Sequence, residues 1–363
     1  MERKIFVIAN SSGGLYNFRN ELLQSLLRES CVVASTPFND KVLELEKIGV
    51  RLIETKMERR GMNPIKDLLL VRTYFQLIKQ ENPNLVITYT IKPNIYGSTV
   101  CRLKNIPYAV NITGLGTAFQ GKGFLRKMVT VMYKFALKKA KVVFFENKEN
   151  MQLFIEEKII RKEQAKLLNG AGVNLDRYSI LPYPEDNEET RFLFVGRVMA
   201  EKGVDELFVA MRRLRTEGIK CSLDMLGGFD ENYSEKIKEA ESEGWLRYHG
   251  YQSDVRPYIR NCHCFVLPSW HEGMANTNLE CAASGRPVIT SNIHGCLEAV
   301  EEGVSGYLAE AKNSESLYKT MKRMTKLSVT EKREMGLAGR IRMEELFDKK
   351  IVVEETVASL RQI

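Results

Sequence analysis

The feature that most constrains this chain is an alternation of short apolar runs with longer segments of helical spacing, and the chain passes through it twice. Residues 5–9, 31–35, 85–89, 108–112 and 142–146 are short, apolar and rich in β-branched side chains, as strands are. Residues 17–29, 67–81, 95–103 and 124–139 carry helical spacing between them. The pattern restarts past residue 169. Strands are expected at 192–195, 221–226, 246–249, 264–268 and 287–290, and helices at 205–217, 235–243, 255–261 and 277–284. Strands alternating with helices pair in parallel through right-handed crossovers, which leaves helices on both faces of the sheet. The expectation is an α/β protein of two Rossmann-like domains. Two prolines and an acidic cluster in 181–189 read as surface linker. That puts the first domain at 1–182, the second at 183–340, and a terminal helix at 341–363. Ligands of open parallel sheets bind outside the carboxyl ends of the strands, so a cleft between the domains is the expected site.

With 363 residues, 44% of them hydrophobic, the chain can fill two cores, which excludes a disordered chain or a small disulfide scaffold. No apolar run approaches the roughly 18 residues of a membrane span, and the run at 5–9 is too short for a secretory leader. Seven cysteines, an odd number scattered among apolar residues, read as reduced thiols. A soluble, cytoplasmic protein is expected. Charge is uneven, however. Residues 1–180 carry a net charge of +13 and the remainder −5, and ten bases but no acid occur between 82 and 145. A basic half of this size points to an anionic partner.

Three loops carry candidate chemistry. Asn10-Ser11-Ser12-Gly13-Gly14 joins the first strand to a helix, and its small residues let backbone amides face an anion, although an ordinary tight turn explains them as well. It is not the Gly-x-Gly-x-x-Gly of a dinucleotide site. After the first strand of the second half, Gly196 is followed by Arg197 and Lys202. A planar fork and a point charge suit a diphosphate. The third loop, following 264–268, is the most informative. Glu272 and Glu280 lie eight residues apart, on nearly one face of a helix. Between them the amides of Gly273, Met274, Ala275, Asn276 and Thr277 begin that helix and can receive phosphate.

Gly196-Arg197-(x)4-Lys202-Gly203 with Pro268-Ser269-(x)2-Glu272-Gly273-(x)6-Glu280 resembles the donor signature of the retaining GT-B glycosyltransferases of family 4. The resemblance runs over essentially the whole chain. It implies two Rossmann-like domains facing across a cleft, and a C-terminal helix that crosses back to the first domain. It also implies a nucleotide-sugar donor, UDP-linked, with no metal or other cofactor. Arg197 and Lys202 would bind the diphosphate, Glu272 the donor sugar and Glu280 the ribose, with Gly13, Gly14, Gly196 and residues 273–277 around the donor. No Asp-x-Asp occurs in the sequence, so the cations would carry the charge of the leaving group.

Thr88-Tyr89-Thr90-Ile91-Lys92-Pro93-Asn94-Ile95-Tyr96-Gly97 and Asn111-Ile112-Thr113-Gly114-Leu115-Gly116 are similar to segments of bacterial members that build capsule, O-antigen and lipid-linked oligosaccharides. They imply an acceptor or sugar pocket at Lys92, Asn94, Thr113 and Gly114. Many members carry histidine where this chain has Thr113, which leaves Thr113 or the Gly114 backbone as the substitute.

The implied acceptor, a polyprenyl-diphosphate-linked saccharide, accounts for the basic half. In 122–141, Phe124, Met128, Val131, Met132 and Phe135 fall on one helical face, and Arg126, Lys127, Lys134, Lys138 and Lys141 on the opposite arc. With Lys56-Met57-Glu58-Arg59-Arg60, the bases are expected to touch an anionic membrane rather than nucleic acid, holding the protein peripherally on the inner face of the cell membrane. Cys262-His263-Cys264 has no second ligand pair at zinc spacing and reads as core; His249 reads as a strand cap. A non-hydrolysing nucleotide-sugar epimerase shares the architecture, and a two-lobed binding protein is disfavoured by the paired cations.

Overall fold

The computed structural model describes residues 3–58, 63–116, 119, 123–185 and 189–363. Arg59, Arg60 and Lys122, and part of the expected linker, lie outside the described residues. The chain forms two compact units: residues 1–171 with 350–363, and residues 172–349.

The first unit begins with β1 (Lys4–Ile8), whose residues from Ile5 onward are all buried, because a strand covered on both faces needs apolar side chains on both. It continues through α1 (Ser12–Leu27), β2 (Cys31–Thr36), α2 (Val42–Lys47), β3 (Arg51–Glu54), α3 (Pro64–Glu81) and β4 (Leu85–Tyr89). A π-helical turn, Pro93–Gly97, then leads into α4 (Ser98–Lys104). After β5 (Tyr108–Ile112) come α5 (Phe124–Leu137), β6 (Val142–Phe145), α6 (Lys148–Glu156) and β7 (Ala165–Leu167). All described strands pair in parallel in the order β3-β2-β1-β4-β5-β6-β7. The order reverses between β1 and β4, so their carboxyl ends flank a switch point.

Two local expectations change here. The first helix starts at Ser12, not 17, because Ser11 caps it, its Oγ accepting from the Gly14 amide at 3.0 Å. In α5 the buried side is Val129, Thr130, Tyr133, Ala136 and Leu137. Of the apolar stripe read in the sequence, Phe124 (81% exposed), Val131 and Phe135 point outward, while Met132 packs partly buried against the core. This helix is apolar on two sides. The side with small Thr130 and Ala136 lets it approach the sheet, and Tyr133 packs between Phe119 and Phe154 at 6.0 and 5.3 Å. Lys127, Lys134 and Lys138 are exposed beside the outward stripe rather than opposite it. Arg126 is paired with Glu157 at 2.5 Å.

The second unit repeats the plan with β8 (Thr190–Val195), α7 (Val204–Thr216), β9 (Cys221–Leu226), α8 (Ser234–Ser242), β10 (Leu246–Tyr248), α9 (Arg256–Asn261), β11 (Cys264–Leu267), α10 (Asn276–Ala283), β12 (Val288–Ser291) and β13 (Gly306–Ala309). α11 (Ser314–Thr325) and α12 (Val329–Leu346) follow. Its strands run in parallel in the order β10-β9-β8-β11-β12-β13, with the reversal between β8 and β11. Residues 172–182, expected to close the first domain, pack on this unit. Leu175, Tyr178 and Leu181 lie against its core, and the buried Arg286 donates to the carbonyls of Leu181 and Pro182. The chain enters and leaves the unit side by side, the Val173 amide donating to Phe347 O at 2.8 Å and the Lys349 amide to Val173 O at 3.0 Å. Finally α13 (Lys349–Arg361) packs in the first unit, where Arg3 donates to the Leu360 carbonyl at 3.1 Å and Val352, Val357 and Leu360 join the core.

Candidate active site

In the second unit, the two loops bearing the paired cations and glutamates leave the carboxyl ends of β8 and β11, the two strands at the switch point. Gly203 (φ +71°) lets the Lys202 turn lie against the other loop, since a Cβ there would come within 2.1 Å of the Pro268 carbonyl oxygen. The Trp270 amide donates to Glu201 O at 2.9 Å and the Trp270 indole to Glu206 at 3.1 Å, stitching the loops together.

Each cation holds a carboxylate. The Lys202 ammonium is bonded to Glu272 Oε1, which also accepts from Ser269 Oγ at 2.8 Å, and this pair is largely buried. Arg197 is bonded to Asp230, and its side chain is 41% exposed. A dianionic phosphate arriving here can replace either carboxylate, and the cation changes partner without being left unpaired. The sequence reading did not include Asp230. Its signal is the Gly227-Gly228 pair directly after β9, which brings the loop back so that the Asp230 amide donates to Val198 O at 3.1 Å.

α10 begins at Asn276 with no side-chain cap among the described residues. The Ala275 amide donates to Gly295 O at 2.7 Å and the Asn276 amide to Met274 O at 3.0 Å, so part of the expected amide cradle is used locally. Gly273 and Thr277 are partly exposed beside the buried Met274. Glu280, two turns along, looks to a different group of residues than Glu272 does. The Tyr178 hydroxyl donates to it, and Lys349 and Arg177 lie near. Burial pushes the Glu280 carboxyl up to about 7, and those three neighbours only partly offset it. Tyr178 was likewise not anticipated. It stands in a turn whose carbonyl accepts from Arg340 at 2.8 Å, the same guanidinium nitrogen that donates to Ala283 O at the end of α10.

In the first unit, the expected acceptor residues also gather at the carboxyl edge, after β4 and β5, but several are committed. Lys92 is paired with Asp67 at 2.9 Å, and both are mostly buried; Asp67 also accepts from the Tyr96 hydroxyl. Asn94 is fully buried and donates to Asn111 O at 2.8 Å, pinning the π-helical turn to β5. Thr113 and Gly114 follow β5 and are partly exposed. Gly13 and Gly14 lie in the first turn of α1, not in a loop. Their amides point at Asn39 Oδ1 (3.4 Å) and Ser11 Oγ (3.0 Å), and Gly13 is explained by packing, since a Cβ would sit 3.1 Å from Asp40 Cβ. A second buried charged pair at this edge, Arg19 on α1 with Glu146 after β6 at 2.5 Å, went unread in the sequence. Burial raises the Glu146 carboxyl, the Arg19 guanidinium opposes that rise, and Arg19 also lies 5.0 Å from the Tyr89 ring centre.

Cys262, His263 and Cys264 are buried, and His263 Nδ1 accepts from the Arg191 amide at 3.0 Å. His249 does more than cap a strand, since its Nε2 is 2.6 Å from Asp224.

Two family models match the chain, one described as glycosyl transferase 4-like over residues 4–147 and one as glycosyl transferases group 1 over residues 189–326. The chain is 26% identical to the N,N'-diacetylbacillosaminyl-diphospho-undecaprenol alpha-1,3-N-acetylgalactosaminyltransferase of Campylobacter jejuni, over 97% of this chain and 96% of that one. It is also 26% identical to the UDP-Gal:alpha-D-GlcNAc-diphosphoundecaprenol alpha-1,3-galactosyltransferase of Escherichia coli, over 73% and 72%. Among solved structures, HepE of Anabaena in complex with UDP and glucose has a TM-score of 0.82 at 15% identity, covering 99% of this chain and 100% of that one, a likeness of fold. The two family models between them span most of the sequence, in two units with the strand order and loop chemistry described above, and the chain belongs to the group 1, 4-like glycosyltransferases of the GT-B fold.

Proposed function

We propose that this glycosyltransferase moves a hexose or N-acetylated hexosamine from a UDP-sugar, with retention, to a polyprenyl-diphosphate-linked saccharide on the inner face of the cell membrane. The observation that carries the donor half is the placement of Arg197, Lys202 and Glu272 on the two loops at the β8/β11 switch point. The acceptor half is supported by the basic first unit and by the two relatives, both named for transfer to undecaprenyl-diphosphate-linked sugars.

In the proposed reaction the anomeric carbon–oxygen bond to the diphosphate breaks as the acceptor oxygen forms its bond on the same face, and the acceptor proton passes to the departing phosphate. Charge grows on that phosphate as the sugar gains oxocarbenium character. Arg197 and Lys202 meet the growing charge in a fixed geometry. When the diphosphate takes Lys202, Glu272 is freed to hold a hydroxyl of the donor sugar, still oriented by Ser269. Glu280 holds the ribose diol, remote from the breaking bond.

The test is UDP release from UDP-linked galactose, glucose and their N-acetylated amines, with and without an undecaprenyl-diphosphate disaccharide. Acceptor-dependent release with an α-linked product is expected. Release that ignores the acceptor for every donor overturns the acceptor assignment.

A further inference from the structure

We infer that Thr90, at the carboxyl end of β4, is a specificity-determining residue that receives an uncharged hydroxyl of the acceptor saccharide. This rests on the proposed function in taking a saccharide acceptor to enter at the carboxyl edge of the first sheet.

The backbone marks the position. Six non-glycine residues have positive φ among the described residues, and Thr90 (φ +72°) alone of them is β-branched. Asn82 and Asn105 close α3 and α4, where a left-handed residue is ordinary. Glycine takes this conformation at no steric cost, whereas a branched Cβ crowds the backbone there. A threonine held at such a point is kept for its side chain, and strained residues of this kind gather at ligand sites.

The protein makes no use of the polar atom of that side chain. The Thr90 hydroxyl is enclosed and has no hydrogen-bond partner. The Thr90 carbonyl accepts from the Asn94 amide at 2.9 Å and so starts the helical turn that follows. Ser11, Asn63 and Asn147 each bond an amide of the helix they precede. Thr90 does not, and Pro93, third in its turn, has no amide to give. A buried hydroxyl left unpaired is destabilising. Thr90 as a whole is partly exposed, so one step of χ1 to another staggered well turns the hydroxyl outward.

The surroundings say what chemistry would meet it. Ile91 touches the loop after β5, where a Cβ on Gly116 would come within 2.7 Å of Ile91 Cδ1, so the turn and the 113–116 loop form one rim. The bases on either side of Thr90 are both taken. Lys92, two positions on, is bonded to Asp67. Arg19, 5.0 Å from the ring centre of the preceding Tyr89, is bonded to Glu146. Neither base is left to hold a phosphate, and a lone hydroxyl between two neutralised pairs suits the hydroxyl of an uncharged sugar.

Transfer kinetics with an undecaprenyl-diphosphate disaccharide and its monodeoxy forms test this in the full chain. Thr90→Val keeps the shape and removes the hydroxyl. It should raise the acceptor KM about threefold to tenfold, with kcat and UDP affinity little changed. Its melting temperature should hold or rise, because no protein partner is lost. Thr90→Ser should keep the wild-type acceptor KM. One deoxy acceptor should be used poorly by the wild type and no worse than its parent by Thr90→Val, which identifies the hydroxyl that is met. An unchanged acceptor KM in Thr90→Val, a lowered melting temperature, a fall in UDP affinity, or equal discrimination by both proteins each overturns the proposal and leaves the proposed function standing. A wild type that releases no UDP in response to the acceptor overturns the proposed function, and this inference with it.

Discussion

In the first unit the charged groups at the carboxyl edge of the sheet are shut in pairs. Arg19 with Glu146 and Lys92 with Asp67 are all close to nine-tenths buried in their side chains. At the same edge of the second unit Arg197 reaches solvent, and Lys202 shares one carboxylate oxygen with a serine. The difference between two sheets of one plan thus lies at Arg197, since the Lys202–Glu272 pair is nearly as buried as Lys92–Asp67. A buried pair is destabilising to break, because the survivor keeps its desolvation cost. A pair within reach of a ligand is a cation kept in place until a better anion arrives. The first arrangement fixes a surface, and in the proposed reaction the second keeps its cations in place for a phosphate.

The largest effect should come from breaking the locked pair. Arg19→Met leaves Glu146 buried without its cation and should lower stability by about 3–5 kcal/mol in chemical denaturation, while UDP affinity of the folded fraction is unchanged. A loss confined to UDP affinity would erase the distinction drawn between the two edges. Next, Lys202→Ala should cut turnover about 100- to 1,000-fold and also lower the melting temperature, because Glu272 is left largely buried without its cation; Arg197→Ala, at a more exposed position, should cost less. Unchanged turnover in both would remove the cations from the reaction.

Two smaller effects sharpen the second unit. Glu280 has its carboxyl raised to about 7, and a carboxylate accepts from both ribose hydroxyls whereas the neutral acid accepts less. UDP affinity should therefore rise between pH 6 and pH 8, by up to about tenfold, as calorimetry would read it. For stability the sign is reversed. The folded state holds this proton more tightly than the unfolded chain, so stability falls as pH rises from the ordinary carboxylate range to about 7. Glu280→Gln should flatten both dependences. Smallest of all, Tyr178→Phe removes the hydroxyl that donates to this carboxylate and should move the midpoint of the UDP profile upward. An unmoved midpoint would mean that Tyr178 only packs.

The buried strands and the donor loops were legible because both are dictated locally. Five apolar residues in a row, as in 5–9, have few alternatives to a covered strand, and Gly196-Arg197 and Glu272-Gly273 sit where such strands end. The strands that escaped notice are the edges. Arg51-Leu52-Ile53-Glu54 and Ala165-Lys166-Leu167 are short, charged and half exposed because only one neighbour pairs with each. β13 is an edge as well. The phase of α5 was hidden for another reason. Its sequence has two apolar stripes, and which one meets the sheet depends on Phe119 and Phe154, aromatic residues from elsewhere in the chain. Arg19–Glu146 and Tyr178–Glu280 are 127 and 102 positions apart, and no local pattern announces a partner at that range.

The adjoining entry and exit of the second unit, where Val173 pairs with Asp348, make that unit a cassette spliced into the other. A segment whose two ends already meet can be lifted out and another set in its place without stretching either splice. Under the proposed function, exchange of residues 172–349 for the matching stretch of a relative should then change which sugar nucleotide is read and leave the first unit as it is. In such a lineage, donor and acceptor preferences are free to be shuffled by recombination at two neighbouring points.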